Sequence, residues 1–219
     1  IASSIEVLEG SLNPVSMPEG YSEDTLGSAM KGYLSPEEEN GETPDVIFIL
    51  NETFYDIRDA ADIETDAAIM PFIDGGKNMI RGRAVVAGTG GGTNKSEYEL
   101  LTSNSLWLMP GITPFNFLDL SDAKSIVSHL KALGYSTWAG HPASSLNYSR
   151  GKAYPQLGFE NVAFDKDFRF DELYGKRWYI TDSSAYKTLT EAYEKMGSGP
   201  RFMYLLTIQN HGGWELNPP

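Results

Sequence analysis

The sequence predicts an α/β fold, a mainly parallel sheet flanked by helices. Three observations carry this. Compact apolar runs, "DVIFIL" at 45–50, "YSTWA" at 135–139 and "RFMYLLTI" at 201–208, read as strands. Stretches with helical spacing of apolar residues separate them, opened by Ser or Asp and closed by Gly. Such alternation implies βαβ units, whose crossovers make neighbouring strands parallel.

Along the chain, residues 1–43 are rich in Ser, Pro, Gly and Glu and read as a connecting segment. They hold nine acidic residues against Lys31 alone. Ser22-Glu23-Asp24 predicts the start of one short helix running to about Leu34. From Pro44 to Pro219 the texture is that of one folded domain. "DVIFIL" is uninterrupted apolar sequence, as expected of a strand buried on both faces. "VV" at 85–86 is expected to end a second strand before the glycine-rich "GTGGG". Thr93 to Ser103 predicts a helix with Tyr98 and Leu101 on one side. Ser121 and Asp122 are expected to open another, with Ile126, Val127, Leu130 and Leu133 as its apolar stripe and Gly134 as its terminator. "YSTWA" then delivers His141 at a strand end. Asp182 is expected to cap a helix to about Met196, and "RFMYLLTI" delivers Asn210 and His211.

Composition narrows the function. The chain has 219 residues and a net charge of −13, which argues against nucleic acid as a partner because a phosphate backbone would be repelled. There is no cysteine, so disulfides, zinc–thiolate sites and thiol nucleophiles are excluded. No apolar run approaches the roughly 20 residues that span a bilayer. Both ends, Ile1 and Pro219, read as cuts within a longer protein.

Glu52, His141 and His211 each fall just past a predicted strand, and Thr93 opens a predicted helix. In open α/β sheets that edge is where ligands bind. The loop before Thr93 lacks the glycine spacing and Gly-Lys-Ser/Thr ending of a nucleotide-binding loop. Thr93 then has two readings. It caps the helix, or its hydroxyl faces free N–H groups and the positive helix end, where a phosphoryl group is favoured. Glu52 is an exposed loop carboxylate or a metal ligand. His129, inside a predicted helix, reads as structural. "GHPASSLNYSR" adds Tyr148, suited to packing on a substrate, and Arg150, a permanent cation suited to phosphate oxygens.

These segments resemble, in order, those of lipoteichoic acid synthases and related phosphoglycerol transferases of the sulfatase and alkaline-phosphatase superfamily. "PDVIFILNETF" is similar to that family's first strand and metal-binding glutamate, here Glu52. "GGTNKSEYELLTSNSLWLMP" is similar to its nucleophile segment, with Thr93 as catalytic threonine and Glu97 at the family's spacing. "GHPASSLNYSR" looks like its His-x6-Trp-x-Arg substrate segment, with Tyr148 where Trp is common. "WYITDSSAY" resembles its Trp-Gly-x-x-Asp helix start, and "TIQNHGGW" the segment ending in a substrate-contacting histidine, His211.

The resemblance implies an alkaline-phosphatase/sulfatase-like fold, incomplete at the C-terminus. It implies a cation, Mn2+ or Mg2+, held by Glu52, Thr93 and an Asp-His pair expected beyond Pro219. It implies His141, Tyr148, Arg150 and His211 as substrate-binding residues. Phosphatidylglycerol would be the donor lipid and a polyglycerol-phosphate or glycan the acceptor, with the intact protein membrane-anchored and this domain on the extracellular face. Without the missing pair, the stretch alone is expected to turn over poorly or not at all. A phosphoethanolamine transferase, a phosphatase or sulfatase, and a non-catalytic polyanion or glycan binder are the alternatives.

Overall fold

The structure, a computed structural model, describes residues 19–20, 22–31, 43–86, 91–109, 111–170, 173–174 and 179–212. Residues 1–18 and 32–42 of the expected linker, Gly88 to Gly90, Trp178 and Trp214 lie outside them.

Helix α1 (Glu23–Met30) begins where Ser22 accepts the Thr25 N–H at 3.1 Å, and ends short of Leu34. Strand β1 (Val46–Leu50) follows, then short helix α2 (Pro71–Gly75). The expected strand at 85–86 does not form. Residues 81–86 are irregular, and Val85 is almost fully exposed. No strand among the described residues pairs with them, and an unpaired extended segment leaves its backbone groups to water.

Helix α3 (Thr93–Thr102) matches expectation and buries Tyr98 and Leu101. Helices α4 (Pro114–Phe117) and α5 (Ile126–Ala132) come next. The α5 start lies later than Ser121. That serine closes a turn on Asp119, while Ser125 and Ser128 exchange side-chain and backbone hydrogen bonds as a capping box. Strand β2 (Ser136–Gly140) is as expected, and α6 (Arg150–Leu157) and β3 (Asn161–Ala163) follow it. An antiparallel pair of two-residue strands, β4 (Leu173–Tyr174) and β5 (Tyr179–Ile180), precedes α7 (Asp182–Lys195). The α7 cap is Thr181, not Asp182: its hydroxyl accepts the Ser184 N–H. Strand β6 (Arg201–Leu206) completes the described elements.

The main sheet has order β1-β6-β2-β3, and every pairing is parallel. Late in sequence yet central in space, β6 is buried from Phe202 to Leu206. Its Phe202, Tyr204 and Leu206 enter one apolar cluster with Leu101, Val127, Tyr154 and Phe159; Met203 and Leu205 enter a second with Trp138, Ile180 and Leu189. Alternation to two covered faces is why its sequence shows no polar period.

Strand β1 departs from expectation. Val46, Phe48 and Leu50 pack on the first cluster, but Ile47 and Ile49 are 45% and 44% exposed. Among the described strands it lies at one edge of the sheet, and α7 reaches it only at its ends, through Tyr186 to Asn51 and Tyr193 to Asp45.

Gly140 ends β2 for a steric reason. A Cβ there would stand 2.2 Å from the Trp138 ring and 2.9 Å from Phe168, so only glycine lets the chain pass and present His141.

Candidate active site

The central strand organises the site. At its carboxyl end the Leu206 carbonyl accepts a hydrogen bond from His141 Nδ1 at 3.2 Å, on the β2 side. On the β1 side, the Thr207 N–H donates to the Leu50 carbonyl and the Thr207 Oγ1 accepts from the Glu52 N–H, both at 3.1 Å. Two neighbouring strands therefore release their next residues at one level of the sheet, beside the start of α3.

There the Thr93 hydroxyl donates to Glu52 Oε2 at 3.1 Å. Thr93 is not the cap of its own helix. Gly92, in the left-handed region at φ 81°, holds that place with no side-chain bond, so the Thr93 hydroxyl is free to address Glu52. Thr53 donates to the other carboxylate oxygen, Oε1, at 3.0 Å, from φ 52°. A β-branched residue there is strained, and such strain concentrates at functional sites.

All six residues singled out from sequence line one cavity of about 370 Å³: Glu52, Thr93, His141, Tyr148, Arg150 and His211. Thr53, Gly91, Gly92, Asn147, Ile208 and Gly212 complete its wall. His129 is exposed on α5 and does not reach it.

Arg150 is not a bare cation. It is 2% exposed, and its guanidinium forks onto Glu97, itself fully buried, with contacts of 2.5 to 3.2 Å. Burial alone would lower its pKa, but the Glu97 charge and hydrogen bonds outweigh that and raise it. Tyr154 donates to the same carboxylate at 2.7 Å, and Arg150 also donates to the Asn147 carbonyl at 3.3 Å. With five N–H donors, it keeps capacity for a ligand. Its guanidinium lies over the Tyr148 ring, 5.2 Å from the centroid. Tyr148 and Ser149 are both left-handed, at φ 52° and 56°, a double strain that turns the chain into α6 and puts Arg150 at the cavity. His211 is more open and meets the Tyr179 ring edge-on at 5.9 Å.

His141 is 3% exposed. Burial first, then the Arg150 charge, lowers its pKa from 6.5 to about 4. Because a carbonyl only accepts, Nδ1 carries the ring proton and Nε2 is left as an acceptor. The lowered value makes a stability prediction. Above pH 6.5 neither folded nor unfolded His141 is protonated and its contribution is fully present. As pH falls from 6.5 through 4, the unfolded state takes up the proton first and stability drops, by about 3 kcal/mol for this one group. Urea denaturation at pH 7 and pH 4.5 measures the drop, and His141→Asn, which keeps a donor near Leu206, is expected to shrink it.

The donor chemistry at Glu52 and Thr93 fits a hard divalent cation. A carboxylate and a hydroxyl converge in the cavity, and no cationic side chain among the described residues pairs with Glu52. They do not fill a coordination shell, since no group of three or more His, Asp or Glu among the described residues is placed to hold an ion.

Sequence reasoning missed three contributors. Glu97 was seen only as a spacing, though burial on a helix face that also carries Leu101 marks it as paired. Thr53 and Thr207 carry no signal, because threonine beside a strand end is ordinary.

Comparison with known proteins agrees with this architecture. The profile of the Sulfatase family matches residues 44–219. The capsular polysaccharide biosynthesis protein RkpI of Rhizobium meliloti is 28% identical over 189 residues, 80% of this chain and 32% of that protein. The chain thus spans about a third of the length of this curated relative. The Streptococcus pyogenes phosphoglycerol transferase GacH, solved with sn-glycerol-1-phosphate, superposes with a TM-score of 0.69 at 23% identity, over 91% of this chain and 55% of that one. The lipoteichoic acid synthase LtaP from Listeria monocytogenes gives 0.66 at 20% identity, over 78% and 42%. The parallel sheet flanked by helices is the alkaline-phosphatase/sulfatase-like fold of these structures, and the chain belongs to the Sulfatase family.

Proposed function

We propose that the protein is a phosphoglycerol transferase, which moves glycerophosphate from phosphatidylglycerol to a polyglycerol-phosphate or glycan through Thr93. The observation that carries this reading is the Thr93 hydroxyl, first in its helix and 3.1 Å from Glu52 Oε2, in the cavity shared with His141, Tyr148, Arg150 and His211. The names of GacH and LtaP support the substrate class.

In the first step Thr93 Oγ1 bonds to phosphorus, the bond from phosphorus to the diacylglycerol oxygen breaks, and that oxygen leaves with a proton. The N-terminal end of α3, ahead of the Lys95 N–H that the Gly92 carbonyl takes, would turn backbone N–H groups and the positive helix end toward the phosphoryl oxygens and stabilise their charge. Arg150, its net charge offset by Glu97, contributes directed N–H donors that orient phosphate rather than a strong field. In the second step an acceptor hydroxyl bonds to phosphorus and the bond from phosphorus to Thr93 Oγ1 breaks; His141, with Nε2 unprotonated, receives the acceptor's proton, and a proton returns to Thr93 Oγ1. A divalent cation, Mn2+ or Mg2+, held by Glu52 and Thr93 would neutralise phosphoryl charge and make the hydroxyl a better nucleophile. Its remaining ligands would come from parts of the parent protein beyond Pro219. A lipid donor places the reaction at the outer membrane face, with the parent membrane-anchored.

A second reading, a non-catalytic binder of a polyanion or glycan, is favoured by the finding that, among the described residues, no third acidic or histidine ligand joins Glu52 and Thr93. Titration of the parent polypeptide with Mn2+ separates the two. Micromolar-range binding that Glu52→Gln weakens by about 10-fold or more is expected, because a charged oxygen ligand is lost. A parent protein that binds no Mn2+ and consumes no phosphatidylglycerol would leave the binder.

A further inference from the structure

The Glu52 carboxylate must be held at one place for the site to work, yet it sits two residues beyond Leu50, the last ladder residue of a strand at the edge of the described sheet. What fixes it is the residue that follows the adjacent strand, β6. Thr207 makes a two-point staple on the end of β1: its N–H donates to the Leu50 carbonyl and its Oγ1 accepts the Glu52 N–H, each at 3.1 Å. The Thr207 hydroxyl also lies towards the Asp182 carboxylate in the first turn of α7, where it lowers the Asp182 pKa against the larger rise that burial causes. Asp182 is itself fixed by its own N–H, which donates to Gln209 Oε1 at 2.9 Å. One turn further along α7, Tyr186 donates to Asn51 Oδ1 at 2.7 Å, gripping the residue before Glu52.

This chain of bonds is directional. Thr207 is fully buried, so its hydroxyl has no water with which to exchange partners. The Asp182 carboxyl is half-buried, which raises its pKa, and its Oδ1 has no hydrogen-bond partner among the described residues.

The geometry points to Thr207, backed by Asp182, as the positioning residue that aims the Glu52 carboxylate at Thr93. Neither touches substrate; they act through the Glu52 backbone. The inference rests on the reading of Glu52 as a metal-holding carboxylate, and the expected size follows from outer-shell partners of metal ligands, whose loss costs roughly 10–100-fold in affinity.

The test is Mn2+ affinity of the parent polypeptide, read by calorimetric titration, with thermal melts in chelator to monitor folding. Thr207→Val keeps shape and removes the hydroxyl, and is expected to weaken Mn2+ by about 10-fold. Thr207→Ser keeps the hydroxyl and should bind within about 3-fold of wild type, an affinity distinction that a packing role would not produce. Should Thr207→Val fail to fold, Asp182 decides. Asp182→Asn retains an acceptor for the Thr207 hydroxyl and should bind nearly as wild type, whereas Asp182→Ala should lose about 10-fold. If Thr207→Val and Asp182→Ala bind like wild type while Glu52→Gln does not, the positioning role is overturned and the metal reading stands. Equal losses in the Val and Ser variants overturn it too. A wild-type protein without Mn2+ affinity removes both.

Discussion

Thr93→Ala in the parent polypeptide is expected to reduce phosphatidylglycerol turnover by on the order of 10³-fold or more, leaving the fold intact. The size follows from chemistry. The substitution removes the hydroxyl, with the γ-methyl, and so the atom proposed to bond to phosphorus; what would survive is only binding and electrostatic stabilisation of an attacking water. The structural cost is small. The one hydrogen bond the side chain makes among the described residues goes to Glu52, and Gly92, not Thr93, sits at the helix cap, so about 1 kcal/mol or less of stability is at stake. Thr93→Ser keeps a nucleophilic oxygen on the same backbone and should retain measurable turnover. Lipid consumption, followed beside a thermal melt, checks both, and mass spectrometry of the peptide around residue 93 should find glycerophosphate on wild type and none on the alanine variant. Near-normal turnover in Thr93→Ala would reject it as nucleophile and return the glycine-flanked turn to a merely structural role.

Legibility in the sequence followed the physics of burial. Strands β1, β2 and β6 were readable because strands inside a layered α/β domain are written as unbroken apolar runs. Their polar successors, Glu52, His141 and His211, were readable for the same reason: a sharp change from apolar to ionisable residues marks the carboxyl edge of the sheet. Helices with a strong stripe, such as the one carrying Val127, were found, but its start was misplaced because Ser121, Asp122 and Ser125 all look like caps and only the partner Ser128 decides among them. What was not readable depends on residues far apart in the chain. Strand β3 has three residues, begins with an exposed asparagine, and exists because β2 offers it a ladder. Helix α6 contains Pro155 and Gly151, and its formation owes more to Tyr154 and Leu157 filling the core than to local preference. Exposure of Ile47 and Ile49 is set by β1 being at the edge, which its apolar run conceals. Thr207 reaches Glu52 across 155 positions of sequence, and no local pattern announces such a contact.

Glu97→Gln is expected to destabilise the fold by about 3–5 kcal/mol, the largest stability effect of any single polar substitution near the site. Glu97 and Arg150 are both nearly inaccessible, at 0% and 2% exposure, so neither charge is compensated by water. With the carboxylate gone, the guanidinium stays buried without a counter-charge, and the Tyr154 hydroxyl keeps only a weaker acceptor. The pair itself is a modest net contributor, since bringing two ions out of water costs nearly what their attraction returns. A double variant, Glu97→Leu with Arg150→Met, should therefore recover most of the loss that Glu97→Leu suffers alone. Urea denaturation of the two single variants and the double one yields that coupling directly. The same set tests why an ion pair sits there at all. If Arg150 serves the cavity and Glu97 serves Arg150, the double variant will fold nearly as well as wild type and bind glycerophosphate more weakly. Equal loss of stability in single and double variants would mean that shape, not charge, holds α3 against α6.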